Sequence, residues 1–304
     1  MLRPIYIWGT GQVGRDALPR LRGPIAGFVD NDADRWHRQL DGLAVVPPTA
    51  VLETPSRPFV VIASMYEEEI AAQLCAAGLT PGEDFAAIAA IVEGRDRPED
   101  VFSQIYRRNA WRDAESRSGG GSSLVATGPI RTALPGLMRR YGIRSVVDAP
   151  CGDLRWMATL LPEIAHYTGV EIVAELVARN QQRYGSSHVR FVHRDISIDP
   201  PPAADLVICR DCLVHLPTPL AMRALQNIAG TRSRYLLTTT FPSTSVNRDV
   251  LTGAWRPLNL ERAPFFLGPP LASIAEYPAG SDDRFADKAL ALWALRDVRA
   301  ALGI

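Results

Sequence analysis

Ser145-Val146-Val147-Asp148-Ala149-Pro150-Cys151-Gly152-Asp153 is the stretch on which the reading of the fold turns. A β-branched run ends in an acid, a short turn with one glycine follows, and a second acid closes it. Leu154, Met157, Leu160 and Leu161 then recur at helical spacing, so the pattern predicts a strand, a turn and a helix over 154–161. Carboxylates at the carboxyl end of such a strand lie where open α/β sheets bind ligands. Acids there repel a pyrophosphate and favour a ligand carrying hydroxyls and a positive charge.

The same alternation runs outward. Strands are expected at 145–148, 166–171, 189–192, 206–210 and 235–239, with late strands at 272–277 and 289–295. Helices are expected at 173–184 and 217–228 as well as at 154–161. This rhythm implies a seven-stranded, mostly parallel sheet with helices on both faces. Three further acids follow strand ends after Asp148: Glu171 after the second, Asp195 after the third and Asp211 after the fourth. The step from Asp148 to Glu171 suits one βαβ unit, in which an acid about 20 residues past the glycine turn meets ribose hydroxyls. Any one acid reads as a helix cap, Asp153 before Leu154 for example. The ordered set does not.

These residues resemble the class I S-adenosylmethionine-dependent methyltransferases over roughly residues 125–300. The segment 146–153 looks like that family's first motif, although Pro150 and Cys151 stand where small residues and a second glycine are common. The resemblance implies S-adenosyl-L-methionine as cofactor. It implies contacts from Asp148, Ala149, Gly152 and Asp153, a ribose acid at Glu171 with Ile172, an adenine-side acid at Asp195 with Ile196, and Arg210 near the reacting methyl. His215 is the first candidate for a general base, since imidazole titrates near neutral pH, or else a packed helix-start residue. Asp211 is either a second base or the group that orients His215. Trp111 and Arg117 flank a glycine-rich loop, 116–123, that serves as a linker or as a lid over the cofactor. A long insert after the fifth strand offers Trp255, Arg256 and Asn259 for a hydroxylated substrate, or else covers the sheet edge with Phe265 and Phe266 buried.

Residues 1–92 form a smaller α/β pattern. Trp8-Gly9-Thr10-Gly11-Gln12-Val13-Gly14 follows a strand and opens a helix, and Asp30 ends the next strand. Gly9, Gly11, Gly14 and Asp30 meet the context of a dinucleotide fingerprint. Strands are expected at 5–8, 25–30, 43–46, 59–63 and 85–88, and helices at 13–21 and 67–77. Ile25–Asp32 and Asp41–Pro47 are similar to the small Rossmann-like domains of sugar acetyltransferases and some sugar-modifying methyltransferases. The chain thus divides into a Rossmann-like domain at 1–92, a linker helix with lid at 93–128, and a methyltransferase-like domain at 129–304. Within the linker, 93–100 is a charged run and 101–111 a helix.

Composition bounds the rest. The 33 basic and 33 acidic residues cancel, which removes the positive field on which nucleic-acid or anionic-membrane binding rests. No apolar run is long enough to cross a bilayer, and Met1-Leu2-Arg3-Pro4 leads straight into a strand with no secretory leader. Four cysteines make no disulfide framework, so a cytoplasmic setting is expected. Cys209 and Cys212 form a single CxxC that reads as packing rather than as a metal site. The expectation is methyl transfer to an oxygen or nitrogen of a small molecule, of the sugar or nucleotide-linked sugar class, with a homo-oligomer compatible. The alternative is an NAD(P)-dependent oxidoreductase working through residues 1–92.

Overall fold

In the computed structural model, residues 3–21, 23–54, 57–92, 97–277 and 285–304 are described. The charged run expected at 93–100 falls in part on 93–96, outside the described residues. The chain is an α/β protein of two compact units, Met1–Asp96 with Asp249–Ala254, and Arg97–Arg248 with Trp255–Ile304. The helix and glycine-rich loop read from the sequence as a linker therefore belong to the second unit.

The first unit carries strands β1 (Ile5–Trp8), β2 (Ile25–Val29), β3 (Gln39–Leu40), β4 (Leu43–Val46), β5 (Phe59–Ile62) and β6 (Phe85–Ala87). Its helices are α1 (Gln12–Ala17), α2 (Thr49–Leu52), α3 (Glu67–Ala76) and α4 (Ile88–Val92). The sheet order is β3-β4-β2-β1-β5-β6, antiparallel only at β3. Alternate strand residues face two apolar clusters, one around Ile7, Phe28 and Val61, the other around Trp8, Val29 and Ile62. Val250, Leu251 and Ala254, far along the chain, fill the first cluster, and Arg20 donates to the Thr252 carbonyl at 3.0 Å.

The second unit opens with α5 (Pro98–Arg108) and α6 (Gly128–Tyr141). It continues through β7 (Ser145–Asp148), β8 (His166–Glu171), α7 (Ala174–Tyr184), β9 (Val189–His193), β10 (Leu206–Cys209), α8 (Thr218–Ala229) and β11 (Tyr235–Thr240). It closes with β12 (Ala272–Ala275), β13 (Ala289–Ala294) and α9 (Leu295–Leu302). The seven-stranded order is β12-β13-β11-β10-β7-β8-β9. The four pairings from β11 to β9 are parallel, and β13 runs antiparallel to both neighbours. Val146 and Val147 show why both faces are covered. Neighbours along β7 point to opposite sides, and each enters a separate buried cluster.

The helix expected at 154–161 is absent. Two short 3₁₀ turns, Met157–Thr159 and Leu161–Glu163, take its place. Leu154 sits in the left-handed region at φ 57°, and Pro162 has no N–H to continue a helix. The apolar spacing that suggested a helix is instead satisfied by burial of Leu154, Met157 and Leu160 over successive tight turns.

Candidate functional site

The strand order reverses at β7, which has β8 on one side and β10 on the other, so a crevice opens outside their carboxyl ends. The cleft there encloses about 1070 Å³, part of it open to solvent. Its floor is acidic. Asp148, Asp153, Glu171 and Asp195 all line it.

Each acid is held differently. Asp148 ends β7 at 2 % exposure and accepts a hydrogen bond from the Tyr167 hydroxyl at 2.8 Å. Burial pushes its carboxyl up to about 7, against the Tyr167 bond and the Arg210 charge, which lower it. Glu171 accepts from the N–H groups of Gly152 at 2.9 Å, Ile172 at 2.9 Å and Val173 at 3.0 Å. Burial raises its pKa, and those three bonds oppose the rise. Asp195 is fixed through Oδ1, which accepts from the Ser197 N–H at 2.8 Å and hydroxyl at 2.6 Å. Apolar side chains of Ile172 and Ile196 stand beside these acids in the same wall.

The glycine-rich loop closes on the turn after β7. Ser116 donates from Oγ to Asp153 at 2.9 Å, Arg117 N–H donates to the same carboxylate at 3.0 Å, and Asp153 N–H donates to Ser118 Oγ at 3.1 Å. Gly152 lies at φ 56°, and a Cβ there would meet Ser118 Oγ at 2.5 Å. Only glycine lets the loop and the turn approach this closely. The loop ends in a 3₁₀ turn, Gly120–Ser122, so it is an ordered cover rather than a free linker. Trp111 and Arg117, predicted to flank it, both line the cleft. So do Phe102 and Ile105 of α5, an apolar wall the sequence reading did not assign.

Arg210, Asp211 and His215 occupy the end of the cleft beyond β10. Arg210 is buried and donates to the Gly121 carbonyl at 2.8 Å and to Glu276 Oε2 at 2.5 Å. Its guanidinium also lies 3.2 Å from Asp211 and over the Trp156 ring. Asp211 sits at φ 50° and receives Lys288 Nζ at 2.7 Å. Burial alone would raise Asp211, but Arg210 and Lys288 outweigh it and hold the carboxyl well below the usual range. The direction of that shift keeps the carboxylate ionised near neutral pH and makes it a weak base. His215 ends the 3₁₀ turn Leu213–His215, and its ring lies 4.9 Å from that of Trp111 at 31°. The Cys212 thiol, also in the wall, is pushed up by its hydrogen bond with Cys209 and by burial, so it stays protonated.

Four predicted residues lie elsewhere. Ala149 is fully buried, and its N–H donates to the Ile208 carbonyl. Arg256 is 1 % exposed and donates through Nη1 to the carbonyls of Leu213 and Val214, at 3.1 and 3.3 Å. Asn259 is buried and donates to the carbonyls of Pro242 and Thr244 at 2.8 and 3.0 Å. Trp255 packs edge-on against Phe241 and Phe285. Asn259 thus ties the insert's own backbone together and Arg256 ties the insert to the turn after β10, because buried carbonyls need donors. Phe265 is buried, whereas Phe266 is exposed.

In the first unit, Gly9 at φ 125° brings the turn after β1 against the Ala63 carbonyl, and a Cβ on Gly14 would overlap the Gly9 carbonyl. A Cβ on Gly11 meets nothing. Asp30 accepts from the Thr10 N–H at 3.2 Å and from its hydroxyl, and pairs with Arg35 at 3.4 Å. Internal partners thus take up the acid that a ribose reading requires.

Sequence reasoning missed Tyr167, Glu276 and Lys288. The signal for Glu276 and Lys288 is a charge at the margin of an otherwise apolar late strand. Among the described residues no helix is long and apolar enough to cross a membrane, and no cluster of metal-ligating side chains is present.

Residues 146–231, from β7 to just past α8, match a family model described as a methyltransferase domain. Proteins described as uncharacterized methyltransferases of Mycobacterium bovis and Mycobacterium tuberculosis are 34 % identical over 86 residues, 28 % of this chain. The match spans 44 % of those relatives' length. Magnesium protoporphyrin IX methyltransferase from Synechocystis, solved with S-adenosylmethionine, is similar at 15 % identity and a TM-score of 0.48, covering 66 % of this chain and 99 % of that one. The 1,6-didemethyltoxoflavin-N1-methyltransferase of Burkholderia thailandensis is similar at 20 % identity and a TM-score of 0.46, covering 64 % and 86 %.

Proposed function

We propose that the chain is an S-adenosylmethionine-dependent methyltransferase acting on an oxygen or nitrogen of a small molecule. The observation that carries this reading is the row of strand-end carboxylates in one cleft, Asp148, Glu171 and Asp195, beside Asp153. The match of 146–231 to a methyltransferase domain supports it.

The residues present fit that cofactor. Asp148 is a counter-charge for an ammonium group, and Glu171 an acceptor for paired ribose hydroxyls. Asp195 suits an amino-purine edge, with Ile172 and Ile196 as apolar faces for the base. When bound, S-adenosylmethionine supplies a methyl group already activated on a sulfonium. The protein's part is then alignment and, for a protonated nucleophile, removal of a proton. In this reading His215 accepts that proton, Asp211 orients the imidazole as a fixed anion, and Trp111 packs against the ring. The loop 116–123 keeps water out.

The narrower reading, a sugar or nucleotide-linked sugar as acceptor, rests on the likeness of the first unit to sugar-modifying enzymes, with Gly9, Gly11, Gly14 and Asp30 as its ligand turn. An NAD(P)-dependent oxidoreductase has the same glycine turn in its favour, but the engagement of Asp30 by Thr10 and Arg35 speaks against it. Titration calorimetry of the full chain with S-adenosylhomocysteine and with NADH separates the two. The first is expected to bind with one site per chain. Binding of NADH alone would reverse the assignment.

A further inference from the structure

Lys288 is the single lysine among 33 lysines and arginines. Every other basic side chain in the protein is arginine, yet the one lysine is 4 % exposed and lies next to the cleft. Its ammonium donates to Asp211 Oδ2 at 2.7 Å and lies 3.0 Å from Glu276 Oε2, which also receives Arg210. Glu276 is itself 1 % exposed. Two cations and two anions thus form a linked set at the ends of β10, β12 and β13, buried at Arg210, Glu276 and Lys288 and half-buried at Asp211. Only Arg210 and Asp211 of the four reach the cleft wall.

The site selects lysine for a physical reason. The backbone of the glycine-rich loop crosses directly above, and a Cβ on Gly121 would lie 3.1 Å from Asp211 Oδ2 and 3.8 Å from Lys288 Nζ. A planar guanidinium needs in-plane room for its fork, whereas an ammonium is a compact point charge that two carboxylates share. The Asp211 backbone, meanwhile, is in the left-handed region, and its N–H donates to Thr239 Oγ1 at 2.9 Å. A non-glycine residue holds that conformation only when its surroundings fix it.

We propose that Lys288 is a positioning residue of the cleft: its ammonium, shared with Glu276, locks the Asp211 carboxylate in place as the fixed counter-ion of His215. This rests on the reading of His215 as the proton acceptor, and it adds a residue outside the ligand-facing wall. The charged groups around Asp211 are Arg210, Lys288 and His215, so loss of Lys288 leaves the imidazole facing a less neutralised anion.

A chain with one lysine allows a direct test. Labelling with ¹⁵N-lysine gives one side-chain ammonium signal for the intact protein. That signal is expected to persist at neutral pH, where exposed ammonium protons exchange too fast to be seen, and to disappear or move in Asp211→Asn. In Lys288→Met the His215 ring titration is expected to shift upward by about half a pH unit or more, and Lys288→Arg, which keeps the charge but needs more room than the site gives, restores it only in part. An unchanged His215 midpoint in folded Lys288→Met overturns the proposal, whatever the ammonium signal does. If Lys288→Met does not fold, an ammonium signal indifferent to Asp211→Asn overturns it. Failure of S-adenosylhomocysteine to bind the parent protein would instead count against methyl transfer, and leaves these two measurements standing on their own.

Discussion

Asp148 is a carboxyl group whose charge depends on what shares its cavity. Burial holds its pKa near 7 in the folded protein, well above the ordinary carboxylate value of 3.8. A raised acid pKa means that the folded state binds the extra proton. The stability it contributes is therefore full below 3.8 and lost as the pH climbs through about 7. A ligand that brings an ammonium group beside Asp148 reverses the preference by favouring the ionised form. Affinity for S-adenosylhomocysteine is expected to rise up to about tenfold between pH 6 and 7.5, with protons released on binding. Asp148→Asn should flatten that dependence, as calorimetry in buffers of different ionisation enthalpy would report. Glu171 also holds backbone of the cleft wall, because the N–H groups it accepts from belong to Gly152 in the turn after β7 and to Ile172 and Val173 after β8. Glu171→Ala is expected to weaken binding by about 1–3 kcal/mol and to lower the melting temperature as well, since three N–H groups lose their acceptor. Weakened binding with no change in melting would show that those backbone bonds are easily replaced.

At the scale of elements, the insert between β11 and β12 separates packing from chemistry. Arg256 donates its own N–H to the Val214 carbonyl at 3.1 Å and its guanidinium to Leu213 and Val214, so it braces the turn that ends at His215 from within the core. Arg256→Met is expected to cost about 2 kcal/mol or more in denaturant unfolding, from lost charged hydrogen bonds, while affinity for S-adenosylhomocysteine stays within twofold. The reverse pattern would return Arg256 to the ligand. The same insert marks where sequence reasoning ran out. Strand ends were legible because β-branched runs stop at acids, and the crevice is built from strand ends. Trp255, Arg256 and Asn259 were read as facing a substrate, and the structure places them outside the cleft, because residues in a loop look alike whether they face a ligand or the protein's own carbonyls and rings. Helix α6 escaped notice because Pro135 and Gly136 interrupt its pattern, although Ile130, Leu134 and Met138 recur every fourth residue and are buried. The turns at 157–163 were over-read as a helix, since apolar spacing alone does not reveal the left-handed backbone of Leu154. Lys288 and Glu276 meet across a stretch of sequence in which nothing predicts their pairing.

For the whole molecule, the division of the chain is discontinuous. Residues Asp249–Ala254 belong to the first unit, and Leu251, 2 % exposed, enters its core. Leu251→Ala is therefore expected to cost about 2–4 kcal/mol, and to do so in the unfolding of the first unit, read by hydrogen exchange of β1 and β2. Exchange that quickens only in β7 and β10 would assign the residue to the other core. The account as a whole rests on one cleft in the second unit holding an adenosyl donor among carboxylates. A crystal structure of the chain with S-adenosylhomocysteine tests this most directly. The account predicts ribose hydroxyls within hydrogen-bond distance of Glu171 and the amino group of the amino-acid tail beside Asp148. An adenosyl group bound away from β7 and β8, or a diphosphate lying among those acids, would contradict it.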